Sequence, residues 1–247
     1  MSELKDFWLA EEKRTMIGWD FSNLDNRWKM EDLPWDYFEL VKKYNIADFK
    51  LLDMGTGGGE LLLQIKHPYN NTFATEGYRQ NYELCKETLE PLGITIRFFE
   101  NDIIPYEDEM FDLVINRHES YNPLEVYRVL KPNGVFITQQ VGNDNNKAMS
   151  EFLIGKRKSL FPNNYLPLAV KQITDCGFRI IESDEIYVEM KYFDIGALVY
   201  YAKIIEWEFA GFSVEKCYNK LVELQNKIDD CGYVGSTEHR YYLVAKK

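Results

Sequence analysis

The chain has no long apolar run. Its longest stretches without a charged residue, Pro132 to Asn143 and Ser159 to Val170, are twelve residues each, and both are broken by Pro, Asn or Gly. A membrane-spanning helix needs ~20 predominantly apolar residues, so none is expected. Cysteine is scarce and scattered: Cys85, Cys176, Cys217 and Cys231 show no close paired spacing, so neither a disulfide framework nor a zinc knuckle is expected, and no metal site. Cations are outnumbered, with 29 Lys and Arg against 40 Asp and Glu and a formal net charge of −11. A surface this acidic repels phosphate backbones, which makes nucleic acid an unfavourable partner. The first fourteen residues carry charges from the third position on rather than the apolar core of a secretory signal, and the expected location is the cytoplasm.

What is present is ordinary globular material. The 247 residues are 45% hydrophobic and 28% charged, which suits one large α/β domain or a domain with a small cap. Aromatic residues make up 15% of the chain, enough for a large core or an aromatic-lined pocket. Residues 1–48 hold four of the five tryptophans and no strand-like alternation. They read as a helical N-terminal cap, with a helix over Trp35 to Tyr44 after Pro34. From Phe49 onward, short apolar runs alternate with amphipathic ones. Strands are expected at Phe49–Met54, Thr72–Thr75, Thr95–Phe99, Phe111–Asn116 and Val135–Val141, with helices at Glu60–Ile65, Tyr78–Leu89 and Leu124–Leu130. Lys131-Pro132-Asn133-Gly134 reads as a helix stop and a turn. This alternation predicts a parallel sheet covered by helices on both faces. Beyond it lie a strand at Phe178–Val188, a helix at Val214–Asp230 between the N-cap Ser213 and Gly232, and a last strand at His239–Ala245. An apolar, aromatic-rich insertion at about 190–212 separates the last two strands.

The most informative stretch is Leu51 to Glu60, an apolar strand entering Asp53-Met54-Gly55-Thr56-Gly57-Gly58-Gly59 before a helix. Glycine permits positive φ and close approach of a ligand to the main chain. The dinucleotide fingerprint G-x-G-x-x-G needs glycine at position 60, where this chain has Glu60, an anion that would face a pyrophosphate. Asp53, just before the first glycine, suits a cationic ligand. The second strand ends at Glu76-Gly77, placed for a carboxylate to accept both hydroxyls of a ribose. The third ends at Asn101-Asp102-Ile103, where an acid can accept from an adenine amine with Ile103 against the ring.

Together these motifs resemble the class I S-adenosylmethionine-dependent methyltransferases. Asp53 to Gly59 is similar to their D/E-x-G-x-G loop, Glu76 to their ribose acid, Asn101-Asp102 to their adenine-side acid, and Phe111 to Val114 and Glu125 to Phe136 to their later motifs. The resemblance covers about residues 49 to 142. It implies a Rossmann-like, seven-stranded α/β sheet of order 3-2-1-4-5-7-6 with the last strand antiparallel, forming a domain over 49–247. It implies S-adenosyl-L-methionine as donor and S-adenosyl-L-homocysteine as product, held by Asp53, Met54, Gly55, Thr56, Gly57, Gly59, Glu76, Gly77, Asn101, Asp102, Ile103 and Asn116. The variable parts, 1–48 and about 190–212, are where such enzymes grip substrates.

The fourth strand runs into Asn116-Arg117-His118-Glu119-Ser120-Tyr121, beside the expected methyl group. His118 is the candidate catalytic residue, as general base or as an acceptor-orienting group; His67 and His239 read as structural. Asn122-Pro123 does not continue into the signature of enzymes that methylate adenine or glutamine amino groups. Lys156-Arg157-Lys158 reads as a solvated face or a clamp for an anion. The expected activity is methyl transfer by in-line displacement to a small-molecule acceptor. The alternative is a protein of the same fold that binds the donor or its product without turnover.

Overall fold

The computed structural model describes residues 2–16, 21–100 and 103–247. In chain order it places α1 (Ser2–Glu12), β1 (Trp28–Met30), α2 (Tyr37–Tyr44), β2 (Leu51–Met54), α3 (Glu60–Ile65), β3 (Thr72–Glu76), α4 (Arg79–Thr88) and β4 (Thr95–Phe98). These are followed by β5 (Phe111–Arg117), α5 (Pro123–Val129), β6 (Leu130–Val141), α6 (Lys147–Ile154), α7 (Leu166–Asp175), β7 (Arg179–Tyr192), α8 (Ile195–Ile204), α9 (Val214–Cys231) and β8 (Val234–Lys246). No helix among the described residues is long and apolar enough to cross a membrane.

The described strands form one sheet in the order β1-β7-β8-β6-β5-β2-β3-β4. Strand β2 runs parallel to both neighbours, with Leu51 opposite Thr72 of β3 and Leu113 of β5. Strand β4 continues the parallel set beside β3, and β6 beside β5. Strand β8 is antiparallel to β6: the Lys247 N–H donates to Gly134 O at one end, and the Gly142 N–H donates to His239 O at the other. The seven expected strands thus occur in the expected order. Two expectations are corrected. The sheet has an eighth strand, because Trp28–Met30 pairs antiparallel with Met190–Tyr192 at the edge, so the N-terminal segment is not purely helical. The Lys131–Gly134 turn is no separate loop. It is absorbed into β6 as an irregularity where Phe111 and Leu113 face Leu130 and Val135, and the Lys131 ammonium ties it to Asp112 at 2.7 Å.

Two compact units make up the chain. One comprises Pro34–Val141, Tyr165–Glu185 and Tyr241–Lys247. Its central parallel strands β2, β3 and β5 are buried on both faces, so alternate residues enter different cores. Leu52, Met54, Val114 and Phe136 pack with Val126 and Ile173. Leu51, Leu113, Ile115 and Ile137 pack with Val41, Leu62 and Leu89. Asp36 caps α2 by accepting the N–H groups of Phe38 and Glu39 at 2.7 and 3.3 Å.

The other unit comprises Met1–Leu33, Gly142–Asn164 and Ile186–Arg240. Its core gathers Trp8, Leu24, Tyr192, Phe209 and Leu221 around α8, every one of whose residues from Ile195 to Ala202 is buried. The Arg27 guanidinium holds Asp194 in a fork at 2.7 and 2.9 Å and also reaches Glu11 at 3.2 Å. Buried Glu208 accepts from the side-chain amides of Asn145 and Asn146 at 2.8 and 3.0 Å, and burial still raises its carboxyl above the usual range. Ser213 caps α9 through Lys216 N, and Gly232 closes it with φ +86°.

Candidate active site

The sheet order reverses direction between β2 and β5, so the connections after these strands diverge and leave a crevice at their carboxyl ends, the general ligand position of open α/β sheets. The glycine loop lies there, between Met54 and α3. Gly55 and Gly57 take φ of +67° and +64°, values that disfavour side-chain-bearing residues. The loop's amides turn inward. The N–H groups of Gly55 and Thr56 both donate to Thr75 O at 3.0 Å, and that of Gly59 donates to Thr56 O at 3.0 Å. The N–H of Gly57 donates to a Glu76 carboxylate oxygen at 2.7 Å. With these donors engaged, the loop is not the anion cradle of a dinucleotide site. Glu60 folds its carboxylate back over Gly58, which reinforces that conclusion.

Carboxylates surround this loop. Asp53 is buried, and burial, aided by the charge of Glu76, pushes its carboxyl up to about 7 against the opposing influences of Thr56 and Arg117. Glu76 ends β3 and binds the N–H of Gly57 through one oxygen and that of Tyr78 through the other, at 2.7 and 2.8 Å. Burial raises its carboxyl too, and Glu119 adds to the shift. Tyr37, from α2, is buried beside Asp53 and its phenol is raised by burial and by that charge. Arg117 places its guanidinium 6.0 Å from the Tyr37 ring centroid.

Asn116 is fully buried at the end of β5, opposite Met54. Its Oδ1 accepts from Thr138 Oγ1 at 2.8 Å and Gln140 Nε2 at 2.6 Å, while its Nδ2 has no partner. The hydroxyl of Thr75, on the other side of Met54, is likewise buried and unpartnered. Buried polar atoms without partners at a ligand crevice need a ligand or water to satisfy them. Met54 sends its side chain into the core, leaving its main chain at the loop. A Cβ on Gly77 would lie 2.8 Å from Phe99 O, so this glycine lets the chain after β3 pass close to the chain after β4. Ile103 is exposed at 68%. Asn101 and Asp102 lie outside the described residues.

His118 follows β5 directly with φ +62°, and its N–H donates to Gln139 O at 2.8 Å. Its ring geometry fixes a tautomer. The Trp35 indole donates to Gln139 Oε1 at 2.8 Å, and an indole N–H can only donate, so the Gln139 amide must turn its NH2 the other way. That NH2 meets His118 Nε2 at 3.2 Å. In the neutral ring Nε2 therefore accepts and Nδ1 carries the proton. The other two histidines are structural: His67 bonds Phe49 O at 2.8 Å, and fully buried His239 stacks on Tyr187 at 4.2 Å while its Nδ1 accepts from the Asp144 N–H. Within the basic run, Arg157 binds the carbonyls of Asn143 and Asn145 and so staples the backbone.

The structure brings Asp53, Gly55, Thr56, Gly57, Gly59, Glu76 and Asn116 to one strand-end crevice. It adds Tyr37, Arg117 and Glu119, which sequence reasoning missed. Glu119 and Arg117 lie within the segment already singled out around His118, but nothing local says that Glu119 turns back to the loop. Tyr37 carries no signal beyond its place in an aromatic-rich segment.

Fold and site together give an open α/β sheet whose strand-end glycine loop is lined by carboxylates rather than open amides. The methyltransferase-domain family model matches residues 52–138, which contain this loop and the strands that carry it. Over those residues the chain is similar to methyltransferase domains. An uncharacterised protein of Methanocaldococcus jannaschii is 27% identical over 236 residues, 84% of this chain and 88% of that one. Among solved structures, a S-adenosylmethionine-dependent methyltransferase from Methanosarcina mazei shares the fold at 14% identity and a TM-score of 0.51, covering 86% of this chain and 99% of its own. The [4+2]-cyclase SpnF does so at 16% identity and a TM-score of 0.51, covering 85% and 80%.

The residues present fit S-adenosylmethionine. The loop offers carbon faces, Glu76 has acceptor capacity for vicinal hydroxyls, unpartnered Asn116 Nδ2 is a donor, and the surrounding charge suits a cation. Glu76→Ala is expected to weaken donor binding roughly 10- to 150-fold, the equivalent of ~1.5–3 kcal/mol of charge-assisted hydrogen bonding. Calorimetry on the variant checks this, and an unchanged dissociation constant would contradict the assignment.

Asp53 predicts a pH dependence. With its carboxyl raised to about 7, the folded protein holds a proton that an unfolded carboxyl would already have lost. Its contribution to stability is present at acid pH and fades as pH rises through 7. A cationic ligand favours the ionised form, so binding at pH ~6 is expected to release up to about one proton, and affinity is expected to rise toward pH 8. Titrations in buffers of different ionisation enthalpy measure this; heats independent of the buffer would contradict it.

Proposed function

We propose that the protein transfers a methyl group from S-adenosylmethionine to a small-molecule acceptor by in-line displacement. The observation that carries this reading is the convergence of Asp53, Glu76 and Glu119 on a glycine loop whose amides face inward, a setting for a cationic nucleoside rather than a pyrophosphate. When bound, S-adenosylmethionine supplies an electrophilic methyl on a sulfonium centre. Glu76 holds the ribose hydroxyls, the face of Gly57 seats the amino-acid part, and Asn116 donates from Nδ2. Asp102 and Ile103, with Asn101, take the adenine, as the family resemblance implies. His118, at the end of β5, orients the acceptor's nucleophile. Alignment of acceptor and donor supplies most of the rate, because proximity alone can lower such a barrier by ~7–11 kcal/mol. The net charge of −11 disfavours nucleic acid as acceptor.

The test is incubation with methyl-labelled donor and a metabolite extract. The proposal predicts label in small molecules rather than in protein or nucleic acid. Label that never leaves the donor, with binding intact, would favour a non-catalytic binding protein. A shared fold does not fix the chemistry, so turnover is what separates the two readings.

A further inference from the structure

Glu119 lies on the glycine loop itself. A Cβ built on Gly55 would stand 2.5 Å from Glu119 Cγ and 3.0 Å from its Oε2, so this side chain covers the loop face that glycine leaves open. The backbone aims it there. His118 takes φ +62°, which turns the chain back after β5, and the Glu119 carbonyl is held by Gln140 Nε2 at 2.9 Å. The same Gln140 amide group binds Asn116 Oδ1, whose side chain keeps a buried, unpartnered Nδ2 at the neighbouring strand end. Glu119 Oε1 is anchored by the N–H and hydroxyl of Ser120, both at 3.0 Å, which leaves Oε2 toward Gly55. Its charge is felt by Glu76.

Methyl transfer changes the charge of what occupies this loop. The carbon–sulfur bond breaks with its electron pair going to sulfur, the acceptor's bond to the methyl carbon forms, and the acceptor's proton leaves to solvent or to a base. The sulfonium thereby becomes a neutral thioether, and the product carries one positive charge fewer than the donor. We infer that Glu119 is a specificity-determining residue that makes the site sense this charge, holding S-adenosylmethionine more tightly than S-adenosylhomocysteine and so favouring product release. This rests on the proposed use of S-adenosylmethionine. Asp53 and Glu76 add to the same field, but Asp53 is buried and Glu76 is engaged by two backbone amides, whereas Glu119 reaches over the loop face.

The experiment is calorimetric titration of wild type, Glu119→Gln and Glu119→Asp with S-adenosylmethionine, S-adenosylhomocysteine and sinefungin, whose amine keeps a positive charge near the sulfonium position. Wild type is expected to prefer both charged ligands over the neutral product. Glu119→Gln is expected to reduce that preference about tenfold, the scale of one charge a few ångströms away at intermediate effective dielectric, while changing product affinity about twofold or less. Glu119→Asp keeps the charge and is expected to retain most of the preference. Thermal melts confirm that the variants are folded. A donor-to-product ratio unchanged in Glu119→Gln would overturn this inference and leave the proposed function standing. Wild-type protein that binds neither donor nor product would overturn both.

Discussion

Gly57→Val is expected to give a folded protein with no detectable S-adenosylmethionine binding. Position 57 holds φ +64°, which a β-branched residue adopts only with strain of ~1–3 kcal/mol. Both of its peptide groups are committed: its N–H donates to Glu76 at 2.7 Å and its carbonyl accepts from the Cys85 thiol at 3.1 Å. A valine that shifts the turn therefore moves the carboxylate assigned to the ribose as well as blocking the loop face. The fold is expected to survive because the strands around the loop are held by fully buried Leu51, Leu52, Leu113 and Ile115. Circular dichroism checks folding and calorimetry checks binding; a near-normal dissociation constant would remove the glycine loop from the site.

The second large effect is on turnover. His118→Asn is expected to lower it ~10²–10⁴-fold, the range for losing a proton-transferring or orienting group at the reacting atom, while donor affinity changes only a few-fold. Asparagine tolerates the positive φ found there, so the backbone turn is retained and the ring is what is removed. Gln139 and Trp35 act on this ring as positioning residues, since the indole sets the amide and the amide sets the tautomer. Trp35→Phe releases the amide to flip, and nitrogen chemical shifts of His118 report the change directly. In wild type the Nδ1–H tautomer is expected. Full turnover in His118→Asn would leave alignment alone to account for the rate.

The local grammar of the parallel half was legible because each of its elements is specified nearby. Runs such as Leu51–Met54 and Phe111–Asn116 are mostly apolar and feed both faces, and Ser213 and Gly232 bracket a helix found where expected. Strand β1 was not legible. Three residues, Trp28–Met30, have no alternation to read and become a strand only by pairing with Met190–Tyr192 far along the chain. The Lys131–Gly134 turn failed for a related reason: its residues say turn, and only the neighbouring strand decides that the ladder resumes around it. In the site, Asp53 and Glu76 announced themselves by their places at strand ends. Glu119 did not, because its reach to Gly55 depends on a positive φ at a histidine, which sequence does not signal. The Trp35–Gln139–His118 chain spans 104 positions between its first two members and was equally invisible.

On the proposed function, this carboxylate-lined loop binds a cationic adenosyl methyl donor and excludes a dinucleotide. Side-by-side calorimetric titration of the wild-type protein with S-adenosylmethionine and NAD tests it most directly. A single saturable site for S-adenosylmethionine is expected and no heat of binding for NAD, whose pyrophosphate would meet Glu60 and find the amides of Gly55, Thr56, Gly57 and Gly59 already engaged. Binding of NAD at concentrations where S-adenosylmethionine gives no signal would contradict it.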